Sequence, residues 1–165
     1  NMTGMMCKRY FTPQTVDTYA TDITPGTLPG TNARALKKIF TERFTNVRQA
    51  NPCPTTGTWK VHSPWTGQGL IDGVKNALWK GPGKVLRKRH NGTTITISPV
   101  AVLMGRGVDK LHWVTVVDFR QNLEDDYGCD VVFNTWGNQK VMTCENLASY
   151  GNTLLLGFSY IAFDR

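Results

Sequence analysis

Apolar residues recur along this chain in two rhythms. In ARALKKIFTERF, Ala35, Leu36, Ile39, Phe40 and Phe44 recur at helical spacing, and Thr31 or Asn32 can cap that helix. In PWTGQGLIDGVKNALWKG, the residues Leu70, Ile71, Val74, Leu78 and Trp79 form a second helical stripe. Ser63 stands at the cap position there, Pro64 fits the first turn, and Gly81, Pro82 and Gly83 end the run. Two further short helices are expected at residues 2–12 and 13–21, while residues 22–31 and 50–57 read as loop and turn. After Gly83 the rhythm changes. TTITI alternates β-branched residues, PVAVLMG is a continuous apolar run, and LHWVTVVDF, CDVVF, QKVMTC and LLLGFSYIAF follow. Their lengths and compositions predict strands, and their short connections predict antiparallel neighbours. Helices first and sheet afterwards indicate one α+β domain over residues 1–165, with residues 1–82 mainly helical and residues 83–165 mainly β.

With 165 residues, 40% of them hydrophobic, the chain can bury a sizeable core. No apolar run approaches the roughly 20 residues of a membrane helix, so no membrane span is expected. The residues after Asn1 lack the pattern of a secretory leader. Because the first residue is not Met, a processed or trimmed chain is expected.

Net charge is +7, and Lys84, Arg87, Lys88, Arg89 and His90 form the densest basic run. Such a run either faces solvent as a surface loop or attracts an anionic partner. No aromatic-interleaved RNA motif or finger spacing accompanies it, which argues against a nucleic-acid module.

The four cysteines are Cys7, Cys53, Cys129 and Cys144. None sits in a Cys-x-x-Cys pair, so no metal or cofactor is expected. Cys129 and Cys144 are equidistant from a turn centred between Trp136 and Gly137. On a hairpin they would face each other, either as a disulfide or as two buried thiols. A disulfide would favour an oxidising setting.

The candidate chemistry rests on His112. It opens an apolar strand, where a titratable side chain needs a reason. The next strand ends in Asn134-Thr135-Trp136-Gly137. On adjacent strands an amide oxygen can accept the ring N–H of a histidine, which fixes the tautomer and aims the other nitrogen at a nucleophile. Trp136 would shield that bond from water. The plainer readings are a histidine bonded to a loop and an asparagine serving a tight turn.

A His-Trp-Val-x-Val strand followed by a strand ending Asn-x-Trp-Gly resembles the papain-like superfamily. More closely it resembles bacterial peptidases related to bacteriocin leader-processing enzymes. In that group an apolar strand like PVAVLMG precedes the histidine strand, and a helix like LIDGVKNALWKG precedes both. The resemblance covers residues 64–137 and implies a thiol hydrolase with His112 as base, Asn134 orienting it, and Asn1, Trp113 and Trp136 supporting the site. It also implies a nucleophilic cysteine at the start of the first helix. Asn1-Met2-Thr3-Gly4 looks like that motif with its cysteine just before Asn1. Cys7 is the alternative nucleophile. It would lie roughly 10 Å further along the helix, away from the N-terminal dipole that activates a thiolate. The expected substrates are a protein, a peptide or peptidoglycan, met outside the cytoplasm or inside a target cell, with a cognate inhibitor or immunity protein as a further partner. The alternatives are a toxin that deamidates or transfers onto glutamine, and a degenerate domain that binds peptide without cutting it.

Overall fold

The computed structural model describes Lys37 and residues 58–105, 112–135, 138–151 and 158–164. Of the helices expected in the first fifty residues only Lys37 is described, and it is helical. Eight strands and two helices follow in the order β1 (Thr58–His62), α1 (Gly67–Lys80), β2 (Val85–Lys88), β3 (Thr94–Ile97), β4 (Val100–Met104), β5 (His112–Gln121), β6 (Cys129–Thr135), β7 (Asn138–Thr143), α2 (Cys144–Gly151) and β8 (Tyr160–Asp164). Six strands form one sheet in the order β1-β8-β4-β5-β6-β7, with every pairing antiparallel. The β2–β3 hairpin forms a separate two-stranded sheet. The molecule is thus mixed α/β with a large antiparallel sheet, as the change of rhythm predicts.

Strand side chains alternate between the two faces of the sheet. One face carries Val100, Val102 and Met104 of β4, Val114 and Val116 of β5, and Val131 and Phe133 of β6. These residues join Leu70, Ile71, Val74 and Leu78 of α1 in the main buried core. The other face carries a smaller cluster of Trp59, Ala101, Ile161 and Phe163. Its Trp59 and Phe163 rings meet edge to face, 5.0 Å between centroids.

A bulge between Val116 and Asp118 shifts the alternation within β5. It lets Phe119 pair with Val131 on the core face and sends Asp118 to the face of Thr115. The sequence signals this slip, because apolar residues occupy positions 114, 116, 117 and 119.

Several expectations change in detail. Thr66, not Ser63, caps α1: its Oγ1 accepts from the Gly69 N–H at 3.0 Å, and its carbonyl accepts from Leu70 N. The end of that helix at Lys80, before Gly81, is as expected. TWKVH lies in the half predicted to be mainly helical, yet it forms β1 and pairs with β8. ENLASYG lies between two predicted strands and forms most of α2, whose buried residues Cys144, Leu147, Ala148 and Gly151 recur at helical spacing. Within LLLGFSYIAF, strand begins at Tyr160, and positions 154–157 lie outside the described residues.

Cys129 and Cys144 are joined by a disulfide with a Cα–Cα separation of 5.5 Å. The β6–β7 register runs from Thr135↔Asn138 to Asp130↔Thr143, so the two cysteines extend the ladder of facing residues. The disulfide ties the end of the hairpin to the start of α2. Asp125 reinforces this junction. Its Oδ1 accepts from Tyr127 N at 3.0 Å, and its Oδ2 accepts from Glu145 N, in the first turn of α2, at 2.9 Å. Asp125 and the two sulfurs lie close enough together to suggest a metal site. The sulfurs are bonded to each other and the carboxylate is occupied by backbone N–H groups, so the cluster serves the fold.

Candidate active site around His112

His112 is the first residue of β5, and its Cα partner on β4 is Met104. Facing residues of an antiparallel pair share a side of the sheet. His112 therefore lies on the face of Met104, Val102 and Val114, toward which α1 packs. Its ring is partly buried. Burial pushes its pKa below the ordinary histidine range, because a protonated ring loses hydration there.

The neighbouring strand decides what meets the ring. Asn134 pairs with Thr115, and Phe133 pairs with Val116. Continuing that ladder by one residue brings Thr135 opposite Val114, on the His112 face. The Thr135 hydroxyl is hydrogen-bonded to His112 Nε2. With the proton on Nε2 the ring donates to Thr135 Oγ1, and Nδ1 carries the basic lone pair. Thr135 is 7% exposed, so the contact is sheltered from water.

Asn134 occupies the opposite face, that of Thr115. Its Oδ1 accepts from Gln139 Nε2 at 3.2 Å. Gln139 Oε1 in turn accepts from Arg87 Nη2 at 3.0 Å, and Arg87 Nη1 donates to Asp118 Oδ2 at 3.0 Å. The asparagine expected to orient His112 is thus tied to the β2–β3 hairpin, and Thr135 meets the ring. Trp113, next to His112, also faces the other way and packs against the Trp59, Ala101, Ile161 and Phe163 cluster. There it anchors the strand rather than lining the histidine's face. Asn1, Cys7 and Trp136 lie outside the described residues.

Asp118 explains much of the basic run. It is fully buried, and both Arg87 and Arg89 converge on it. Arg89 Nε donates to Oδ2 at 2.8 Å and Arg89 Nη2 donates to Oδ1 at 2.7 Å, in a bidentate fork. The Phe119 N–H donates to Oδ1 at 2.9 Å. Burial pulls the Arg87 pKa down against the opposing pull of Asp118, while its hydrogen bond to Asp118 raises that of Arg89. Neither guanidinium is therefore a spare charge for an anionic partner. Within the run expected as a solvated loop or an anion-attracting surface, residues 85–88 form a strand with Arg87 turned inward and Leu86 75% exposed, while Lys84, Lys88 and His90 are exposed.

No helix among the described residues is long and apolar enough to cross a membrane. Comparison with protein-family models, with characterised proteins and with solved structures finds no match to this chain.

Proposed function

We propose that this chain is part of a papain-like thiol hydrolase in which His112 is the general base. The observation that carries the reading is the place of His112: it opens a strand inside an antiparallel sheet, partly buried, with Nε2 engaged by the Thr135 hydroxyl. A histidine so held, with its proton on Nε2, can take a proton at Nδ1, which a thiol nucleophile needs. The nucleophile in this reading is a cysteine adjoining Asn1, at the start of the first helix, where the helix dipole would favour the thiolate. His112 takes the thiol proton, the resulting thiolate attacks a carbonyl carbon, and the same proton goes from His112 to the leaving amine as the C–N bond breaks. Water, deprotonated by His112, then releases the acyl group and restores the thiol.

The substrate class is a peptide or amide bond in protein, peptide or peptidoglycan. The Cys129–Cys144 disulfide favours an oxidising setting, extracellular or periplasmic.

The test uses the natural full-length protein, incubated with a peptide mixture and with cross-linked peptidoglycan fragments, and reads the products by mass spectrometry. The wild type is expected to cleave amide bonds. His112→Ala is expected to lose that activity while keeping its circular dichroism spectrum. Cleavage that survives in His112→Ala contradicts the assignment. Glutamine converted to glutamate without backbone cleavage redirects the same site to a deamidase.

A further inference from the structure

We propose that Thr135 is the positioning residue of this site, its hydroxyl holding His112 Nε2 so that Nδ1 is the nitrogen that exchanges the proton. The inference rests on the reading of His112 as a base and replaces the role first expected of Asn134.

Three observations carry it. The ladder sets Thr135 on the core face with His112 and sets Asn134 on the opposite face. The Thr135 hydroxyl contacts Nε2 from a residue that is 7% exposed. Asn134 already accepts from Gln139, which Arg87 ties to buried Asp118.

The chemistry suits the task. A hydroxyl accepts from the Nε2 N–H in both the neutral ring and the imidazolium, so the contact need not break when Nδ1 gains or loses its proton. Threonine is β-branched and stiff at χ1, and its backbone lies between β5 and the start of β7, where its Cα partner is Asn138. Hydroxyl and ring are therefore held by the same sheet. Thr135 is also neutral, so it orients the ring without adding a charge that would compete with a thiolate–imidazolium pair.

The test compares Thr135→Val, Thr135→Ser, Asn134→Ala and His112→Ala in the natural full-length protein. Kinetics are accompanied by nitrogen-15 NMR of the His112 ring. Thr135→Val should lower kcat by roughly 10- to 100-fold with KM little changed, a part of what a whole general base contributes. Thr135→Ser should restore most of that loss, since the hydroxyl returns. Asn134→Ala should cost less kcat than Thr135→Val. In the neutral wild-type ring the proton should reside on Nε2, and Thr135→Val should shift the tautomer balance and the ring pKa.

Wild-type His112 protonated on Nδ1 overturns the proposal without reference to any variant. So does an unchanged kcat in Thr135→Val, a loss that serine fails to rescue, or a larger loss in Asn134→Ala. The parent reading fails separately: activity that persists in His112→Ala removes the base itself, whereas activity lost there but kept in Thr135→Val removes only the role of Thr135.

Discussion

Replacing Asp118 with alanine should be among the most damaging single changes in the described part of the protein. Asp118 is fully buried and receives four hydrogen bonds: one from Arg87, two from Arg89 and one from the Phe119 N–H. Its removal leaves the Arg87 guanidinium, only 8% exposed, without its carboxylate. Breaking a buried pair by deleting one partner typically costs about 3–5 kcal/mol, because the remaining charge stays desolvated. Arg89 is 32% exposed and can turn toward water, which favours the low end, about 3 kcal/mol. For a chain of this size that corresponds to a fall in Tm of about 6–12 °C. The assay is urea unfolding followed by tryptophan fluorescence, with a thermal scan alongside. A double change, Asp118→Leu with Arg87→Met, should recover a large part of the loss, since an apolar pair needs no compensation. A cost below about 1 kcal/mol for Asp118→Ala would refute the reasoning, and so would a double variant no more stable than the single one.

Two other outcomes follow from the same structure. Replacing Cys129 and Cys144 with serine opens a loop with a sequence separation of 15, which should cost about 3 kcal/mol in denaturant unfolding; reduction of the wild type should give a comparable loss. His112 makes stability depend on pH in a defined direction. Burial lowers its pKa in the folded state, so the folded state binds the proton less readily than the unfolded one. The stability tied to the neutral ring is present above the unfolded pKa of about 6.5 and is lost as pH falls through the folded value. Thermal scans across that window should show a shallower decline in His112→Gln than in the wild type.

The readable part of the sequence was the part where one physical signal dominates. VAVLM and HWVTVVDF are apolar enough to be buried strands whatever their neighbours, and both are central in the sheet. The α1 stripe of Leu70, Ile71, Val74 and Leu78 is buried as its spacing requires. Cys129 and Cys144 were legible as a facing pair because both are counted from one turn. Elements with mixed signals were harder. Arg87 is the inward residue of β2, so a charged side chain stands where an apolar one usually marks a strand. In β1, TWKVH alternates correctly, but five residues next to the proline-containing sequence ANPCPTTG make a short window.

Which side chain of that strand end contacts the His112 ring was hidden in the sequence for a sharper reason. Spacing along the chain brings the strand end that holds Asn134 and Thr135 near His112, but a shift of one residue moves a side chain to the other face. Only the register Thr115↔Asn134 decides which of the two meets the ring. The Asn134–Gln139–Arg87–Asp118 chain is likewise invisible in sequence, since it spans β6, β7, β2 and β5.

The central claim is that His112 acts as a base toward a thiol. Its most direct test is the pH dependence of alkylation of that thiol by iodoacetamide, compared between the natural full-length protein and its His112→Ala variant. The account predicts that the wild-type thiol reacts well below its ordinary pKa of about 8.5, with the profile moving up toward that value in the variant. Superimposable profiles for the two proteins would contradict it.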